Sequence, residues 1–368
     1  MKLCILYNFA QHYRTNIFAL IDKTFDCDWV FGDEMSDVKK MDYSLLHGKV
    51  TETHTKCFFG GWYWQPGVVE QLFKDYDHYI LLGETRALST WLFCLLARLL
   101  KPKKKVYFWT HGWYGKETRL ETFVKKIEFK LPSGGIFTYG NYARNLMIKN
   151  GFDKGKLFTI HNSLAYDTQV EMRNQLSETT VYKDHFGNYN KNLFFVGRLT
   201  AVKKLEQILE AMVVCRNQGI DYNLTFIGGG EKTEELKTLT KTLGFENQVW
   251  FYGPCYDEKE LSSLIYNADL CVAPGNIGLT AMHSMVFGTP CITHNDFPYQ
   301  MPEFEAIHEG ITGTFFEKDN VDDLAYHIIK WFEEKGSLRE EVRKACMNEI
   351  DTSWNPHFQI EVLKANIK

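Results

Sequence analysis

Short apolar runs alternate with longer amphipathic runs from one end of the chain to the other. The apolar runs predict strands over Leu3–Tyr7, Asp28–Phe31, Tyr79–Leu82, Val106–Trp109, Ile136–Thr138 and Leu157–Ile160. A second set falls at Leu193–Val196, Leu224–Ile227, Val249–Tyr252, Leu270–Ala273 and Cys291–Thr293. Helical spacing of apolar residues fills the intervals, for example over Lys203–Gln218 and Glu231–Leu243. Strands that are apolar throughout belong to a parallel sheet covered on both faces, with the helices as crossovers. The polar stretch from about Ser163 to Lys191 has no strong period and marks a boundary. The expected fold is α/β, with two Rossmann-like doubly wound domains facing across a cleft. Their expected limits are 1–168 and 169–350, and the tail 351–368 reads as one last helix packing back on the first domain. The length of 368 residues suits two domains better than one.

Composition narrows the class. At 45% hydrophobic and 24% charged residues, this is a globular chain with a real core. Nine cysteines are scattered without any Cys-x-x-Cys pair, which reads as buried free thiols in the reducing cytoplasm. The first residues enter a strand at once, so no signal peptide is expected. The longest apolar stretch, Leu92 to Leu100, contains Arg98 and is too short to cross a bilayer.

Charge is uneven. Residues 1–185 carry 25 Lys+Arg against 20 Asp+Glu, and residues 101–150 carry 11 against 3. A basic first half suggests an anionic partner there, a phosphorylated acceptor or a lipid headgroup rather than nucleic acid. The basic stretches Arg86–Lys105 and Lys116–Lys130 suit peripheral contact with an anionic membrane at its inner face; the plainer alternative is a solvated charged surface.

Three segments carry the chemistry. In Phe195-Val196-Gly197-Arg198-Leu199-Thr200-Ala201-Val202-Lys203 a strand ends in glycine and a helix is predicted to start near Lys203. Two cations beside a helix N-terminus form a ready anion site. Ile227-Gly228-Gly229-Gly230 is a glycine turn after a strand, without the Gly-Lys-Ser/Thr of a phosphate-binding Walker loop. Ala273-Pro274-Gly275-Asn276-Ile277-Gly278-Leu279-Thr280 leads into a short helix that Gly288 and Pro290 stop. The N–H groups of Gly278, Leu279 and Thr280 are placed to hold a diphosphate, and His283 lies one turn on, either near a ribose or satisfied in the core. Asp26-Cys27-Asp28 lacks supporting ligands, so no metal site is expected. In Phe58-Phe59-Gly60-Gly61-Trp62-Tyr63-Trp64, aromatic residues surround two glycines; Trp62 and Trp64 read as an acceptor platform or as loop packing.

In this order and spacing, the three segments resemble family 4 (group 1) of the retaining GT-B glycosyltransferases. The resemblance implies that Arg198 and Lys203 bind a donor diphosphate and neutralise the departing nucleotide. It implies that His111, in Trp109-Thr110-His111, lies by the donor sugar. It puts Gln11, His12 and Arg14, in the loop after the first strand, on the acceptor side. The family pattern has two glutamates eight residues apart, and those positions are Gly275 and His283 here. Glu303 or Glu305 is the candidate substitute carboxylate. The implied activity moves a hexose-type sugar from a nucleoside diphosphate sugar to a glycan or lipid-linked acceptor, with retention and without metal. No cofactor beyond that co-substrate is implied, and the setting is surface polysaccharide or glycoconjugate synthesis. Two rivals stay open: a sugar-nucleotide epimerase, and a non-catalytic descendant that only binds nucleotide-sugar. A nicotinamide enzyme is set aside, because no Gly-x-Gly-x-x-Gly turn follows the first strand.

Overall fold

The computed structural model describes residues 1–33 and 38–368. The chain divides into two compact units, Met1–Ala165 with Asn355–Lys368, and Tyr166–Trp354.

The first unit is built on seven parallel strands: β1 Lys2–Tyr7, β2 Asp26–Gly32, β3 Val50–Thr53, β4 His78–Leu82, β5 Lys105–Thr110, β6 Gly135–Thr138 and β7 Leu157–Thr159. Their order across the sheet is β3-β2-β1-β4-β5-β6-β7. Side chains of β1 alternate between two cores. Leu3, Ile5 and Tyr7 join Trp29 and Trp109 on one face, while Cys4 and Leu6 join Phe93 and Phe108 on the other. A strand buried on both faces reads as a continuous apolar run, which is why the periodicity located it. Strand β3 escaped that reading because Val-Thr-Glu-Thr at a sheet edge is half exposed.

The second unit has six parallel strands: β8 Asn192–Val196, β9 Asn223–Ile227, β10 Val249–Gly253, β11 Leu270–Ala273, β12 Cys291–His294 and β13 Gly313–Phe316. Their order is β10-β9-β8-β11-β12-β13. Helices Tyr166–Arg173 and Val181–Phe186 occupy the stretch that the sequence leaves without a period. They are short and polar, and the first is tied down by the paired bonds of Arg173 to Asp351 at 3.0 and 2.9 Å.

The last helix is present in the first unit but starts at Pro356 rather than at residue 351. Helix Arg339–Ser353 runs on to 353, and Asn355 then caps a new helix, Pro356–Asn366, by accepting the Phe358 N–H at 2.9 Å. Pro at the first helical position suits that restart, since the missing N–H would have had no partner. The last helix buries Ile360, Leu363 and Ile367 in the first unit's core.

Candidate functional site

In the second sheet the strand order reverses between β8 and β11, so the loops leaving their C-terminal ends diverge. That switch point is where open α/β sheets bind ligands. Glycine shapes both exits. Gly228, leaving β9, has φ 143°, and a Cβ there would lie 1.9 Å from the Gly197 carbonyl oxygen. The two strand exits therefore cross backbone on backbone. The Leu199 N–H donates to the Gly229 carbonyl at 3.0 Å, and Glu231 accepts the Ala201 N–H at 3.2 Å. Gly229 itself has ordinary backbone and faces Pro254.

The helix expected to start near Lys203 starts at Glu206 instead. Residues Ala201–Lys203 form a 3₁₀ turn, and Lys204 follows at φ 50°, its ammonium paired with Asp319. Lys203 consequently serves a different helix. Its Nζ donates to the Asn276 carbonyl at 2.6 Å and to Asn276 Oδ1 at 2.8 Å. It lies 3.9 Å from where a Gly278 Cβ would stand, at the N-terminus of helix Leu279–Val286.

That helix is fixed from two sides. Thr280 Oγ1 donates to the Val196 carbonyl at 2.8 Å. Buried Gln300 accepts the Ile277 N–H at 3.0 Å and donates to Thr293 Oγ1 at 2.8 Å and the His294 carbonyl at 3.0 Å. Gln300 as a pin is invisible in sequence, since its partner lies 23 residues away and a lone glutamine carries no pattern. Gly275 is filled by main chain: a Cβ there would meet the Val202 carbonyl oxygen at 2.1 Å and Lys203 Cα at 2.7 Å. The position of the family's first glutamate thus has no room for any side chain.

Burial pushes the Lys203 ammonium down to about 8, with the charge of Glu303 opposing and that of Arg198 adding. Glu303 is buried and Glu305 half-buried; of the two, Glu303 acts on Lys203. Arg198 is exposed. His283 is half-buried, with Nδ1 enclosed and without a hydrogen-bond partner. Burial holds its pKa near 4, so the ring is neutral. Two cations near a helix N-terminus are groups of the kind that attract an anion.

The first unit's expected residues gather less completely. His111 leaves the end of β5 with its ring 4.7 Å from that of Tyr139 and Nδ1 enclosed without a partner. Burial, then the charges of Arg14 and Lys125, hold it neutral with a pKa near 4. Arg14 departs from its expected role. It is 5% exposed, and its guanidinium lies 5.0–5.5 Å from the rings of Tyr7, Phe18, Trp109 and Tyr139. Four aromatic faces stabilise that cation in place, so it is enclosed rather than offered to an acceptor. Gln11 is also buried and pairs with Lys40, while His12 is exposed and donates its N–H to the Lys39 carbonyl at 2.9 Å. Trp62 and Trp64 are half-buried in a short antiparallel ribbon, Lys56–Cys57 against Tyr63–Trp64, whose fully exposed ring is Phe59. Tyr63 turns inward and donates to Glu84 at 2.9 Å. Glu84 follows β4 in a loop that no motif singled out.

Residues 183–348 match the model of a family described as glycosyl transferases group 1. That match falls within the second unit. An uncharacterized glycosyltransferase of Haemophilus influenzae is 29% identical over 139 residues, 37% of each chain. The chain spans 37% and 35% of the length of the first two curated relatives it matches. The O-antigen biosynthesis glycosyltransferase WbnH of Escherichia coli is 26% identical over 265 residues, covering 69% of this chain and 68% of that one. The crystal structure of Anabaena Alr3699/HepE in complex with UDP is similar over 99% of both chains, with a TM-score of 0.72 at 14% identity. At that identity the likeness speaks for the fold, two Rossmann-like units of the GT-B kind. Tyr166–Trp354 holds the basic pair and the glycine exits, with Gly275 and His283 where the resemblance places two glutamates.

Proposed function

We propose that the chain transfers a hexose-type sugar from a nucleoside diphosphate sugar to a glycan or lipid-linked glycan, with retention, in surface polysaccharide synthesis. The observation that carries this reading is the Lys203 ammonium, anchored by Asn276 beside the N-terminus of helix Leu279–Val286. A cation held there by two neutral oxygens keeps its charge available to a ligand anion. The match of residues 183–348 to the group 1 model and the O-antigen role of WbnH support the class of reaction.

On this reading Lys203, Arg198 and the N–H groups of Leu279 and Thr280 take up charge as the diphosphate departs. These are interactions that strengthen in the transition state, so they act on kcat. His283, neutral and one turn into the helix, offers its outer ring nitrogen to a ribose hydroxyl. His111 is assigned to the sugar side, where its neutral ring can accept or donate a hydrogen bond. The chain's own cations carry the charge of the leaving group, and no metal has a part in the scheme.

The test is a thermal-shift panel of UDP, GDP, ADP, TDP and CMP and their sugars, with no metal added. UDP comes first because HepE binds it. A ligand bound only by the folded protein raises the melting point by mass action. The expected outcome is a shift with one nucleoside diphosphate that disappears in Lys203→Ala. No shift with any of them would sink the reading. A shift without transfer to any acceptor would leave the binding-only descendant, which the closed position at Gly275 favours.

A further inference from the structure

Two helices of the first unit wear apolar residues on the outside. In Leu88–Leu100 the inward face is Phe93, Cys94 and Ala97. Leu88, Leu92, Leu95 and Leu99 repeat at helical spacing and stay exposed, Leu99 at 75%. In Arg119–Glu128 the polarity is inverted. Its one buried side chain is Glu128, while Leu120, Phe123 and Ile127 form an exposed stripe at the same spacing. Lys125 is also turned inward, donating to the Gly112 carbonyl at 3.0 Å and to Glu117 at 2.7 Å. Glu128 accepts from Thr85 at 2.6 Å, and Arg98 on the first helix donates to the carbonyls of Lys130 and Leu131. The Arg98 bonds tie the first helix to the segment that follows the second.

The exposed charges near these stripes are predominantly basic, with exposed Glu121 and Asp75 opposing them. Lys101, Lys103, Lys105, Lys116, Arg119 and Lys130 are exposed, and Phe73 stands exposed with the Lys101 ammonium 5.9 Å from its ring. Of the three carboxylates in residues 101–150, Glu117 and Glu128 are turned inward and Glu121 is bound into the cap of its own helix. Apolar residues ringed by lysine and arginine suit a surface of hydrocarbon beneath phosphate. A second copy of the chain suits it poorly, because a two-fold pairing of this face would set its lysines against the same lysines. Among the described residues no helix is long and apolar enough to cross a membrane, so contact would be in the plane of the interface.

We propose that this face docks the first unit on a bilayer carrying anionic lipid. The proposal goes beyond the transferase reading and stands without it. The test is co-sedimentation of the full chain with vesicles of phosphatidylcholine, with and without phosphatidylglycerol, at low and high salt. Binding is expected only with the anionic lipid and is expected to weaken with salt. Each exposed lysine replaced, as in Lys101→Gln or Lys103→Gln, should lower the partition coefficient about fivefold. The pair Leu99→Gln with Phe123→Gln should lower it at least tenfold, because the removed side chains supply the inserted area. All variants should keep the parent's melting temperature, since every changed residue is exposed; the nucleotide-induced shift, measured alongside, reports on the donor site separately. No binding to anionic vesicles overturns the proposal, as does binding that the apolar pair leaves unchanged. Stripe variants that alter self-association in sedimentation would also overturn it, assigning the face to chain–chain contact.

Discussion

Lys203 holds its charge where burial disfavours it, and that makes its protonation a handle on the donor site. With its pKa brought down to about 8, the free protein carries the ammonium below that pH and loses it above. An anionic ligand needs the charged form, so affinity for UDP should be near its plateau at pH 7 and about half of that at pH 8. Above that it should fall, up to tenfold per pH unit, because binding must then take up a proton. Calorimetric titration at pH 7, 8 and 9 would show the trend, and Lys203→Arg, charged throughout, should flatten it. Arg198 is exposed and makes a different prediction. If it acts on the departing diphosphate, Arg198→Ala should lower kcat by roughly 10²-fold or more while changing KM less. Transfer within a few-fold of the parent would remove Arg198 from the mechanism.

At the scale of elements, the proposed donor site depends on main chain meeting main chain. The exit of β11 lies against residues 202–203 so closely that Gly275 donates its N–H to the Lys203 carbonyl at 2.9 Å. Restoring the family's carboxylate with Gly275→Glu should therefore fail as a gain of function. Its Cβ would fall 2.1 Å from the Val202 carbonyl oxygen, and overpacking of that kind costs about 1–3 kcal/mol or more. A melting point several degrees lower and no rise in transfer are expected. A variant as stable as the parent and more active would show that the loop opens freely. The sequence brought out these segments because the glycine exits and basic pair are local patterns. It misjudged which helix Lys203 serves, since a left-handed Lys204 breaks the expected helix and nothing local announces it.

For the whole molecule, the chain's last residues belong to its first unit. Tyr107 donates to the Asn366 carbonyl at 3.2 Å, Gln359 donates to the His161 carbonyl at 2.9 Å, and Ser163 donates to Gln359 at 2.6 Å. Ile360, Leu363 and Ile367 are buried with Tyr107, Trp109 and Phe137. Losing three such side chains removes roughly 5–9 kcal/mol of burial, comparable to the stability of a whole domain. Deleting residues 355–368 should lower the unfolding temperature of the first unit sharply in calorimetry. The second unit, which keeps all its strands, should still be shifted by UDP. A single unchanged transition would show that the helix adds little.

The sequence by itself determined the two parallel sheets, the glycine turns, the cationic pair and the basic first half. Each is a matter of local spacing or of count: continuous apolar runs mark strands buried on both faces, and charge adds without reference to fold. Tertiary structure alone decided what those residues touch. Arg14 is enclosed by four rings from separate elements, Lys203 is drawn to Asn276 across 73 residues, and Gln300 pins a loop far along the chain. It also decided that helix Arg119–Glu128 turns Glu128 inward and its leucine and phenylalanine outward. A helical period shows that a face exists, but only the packed neighbours determine which way it points.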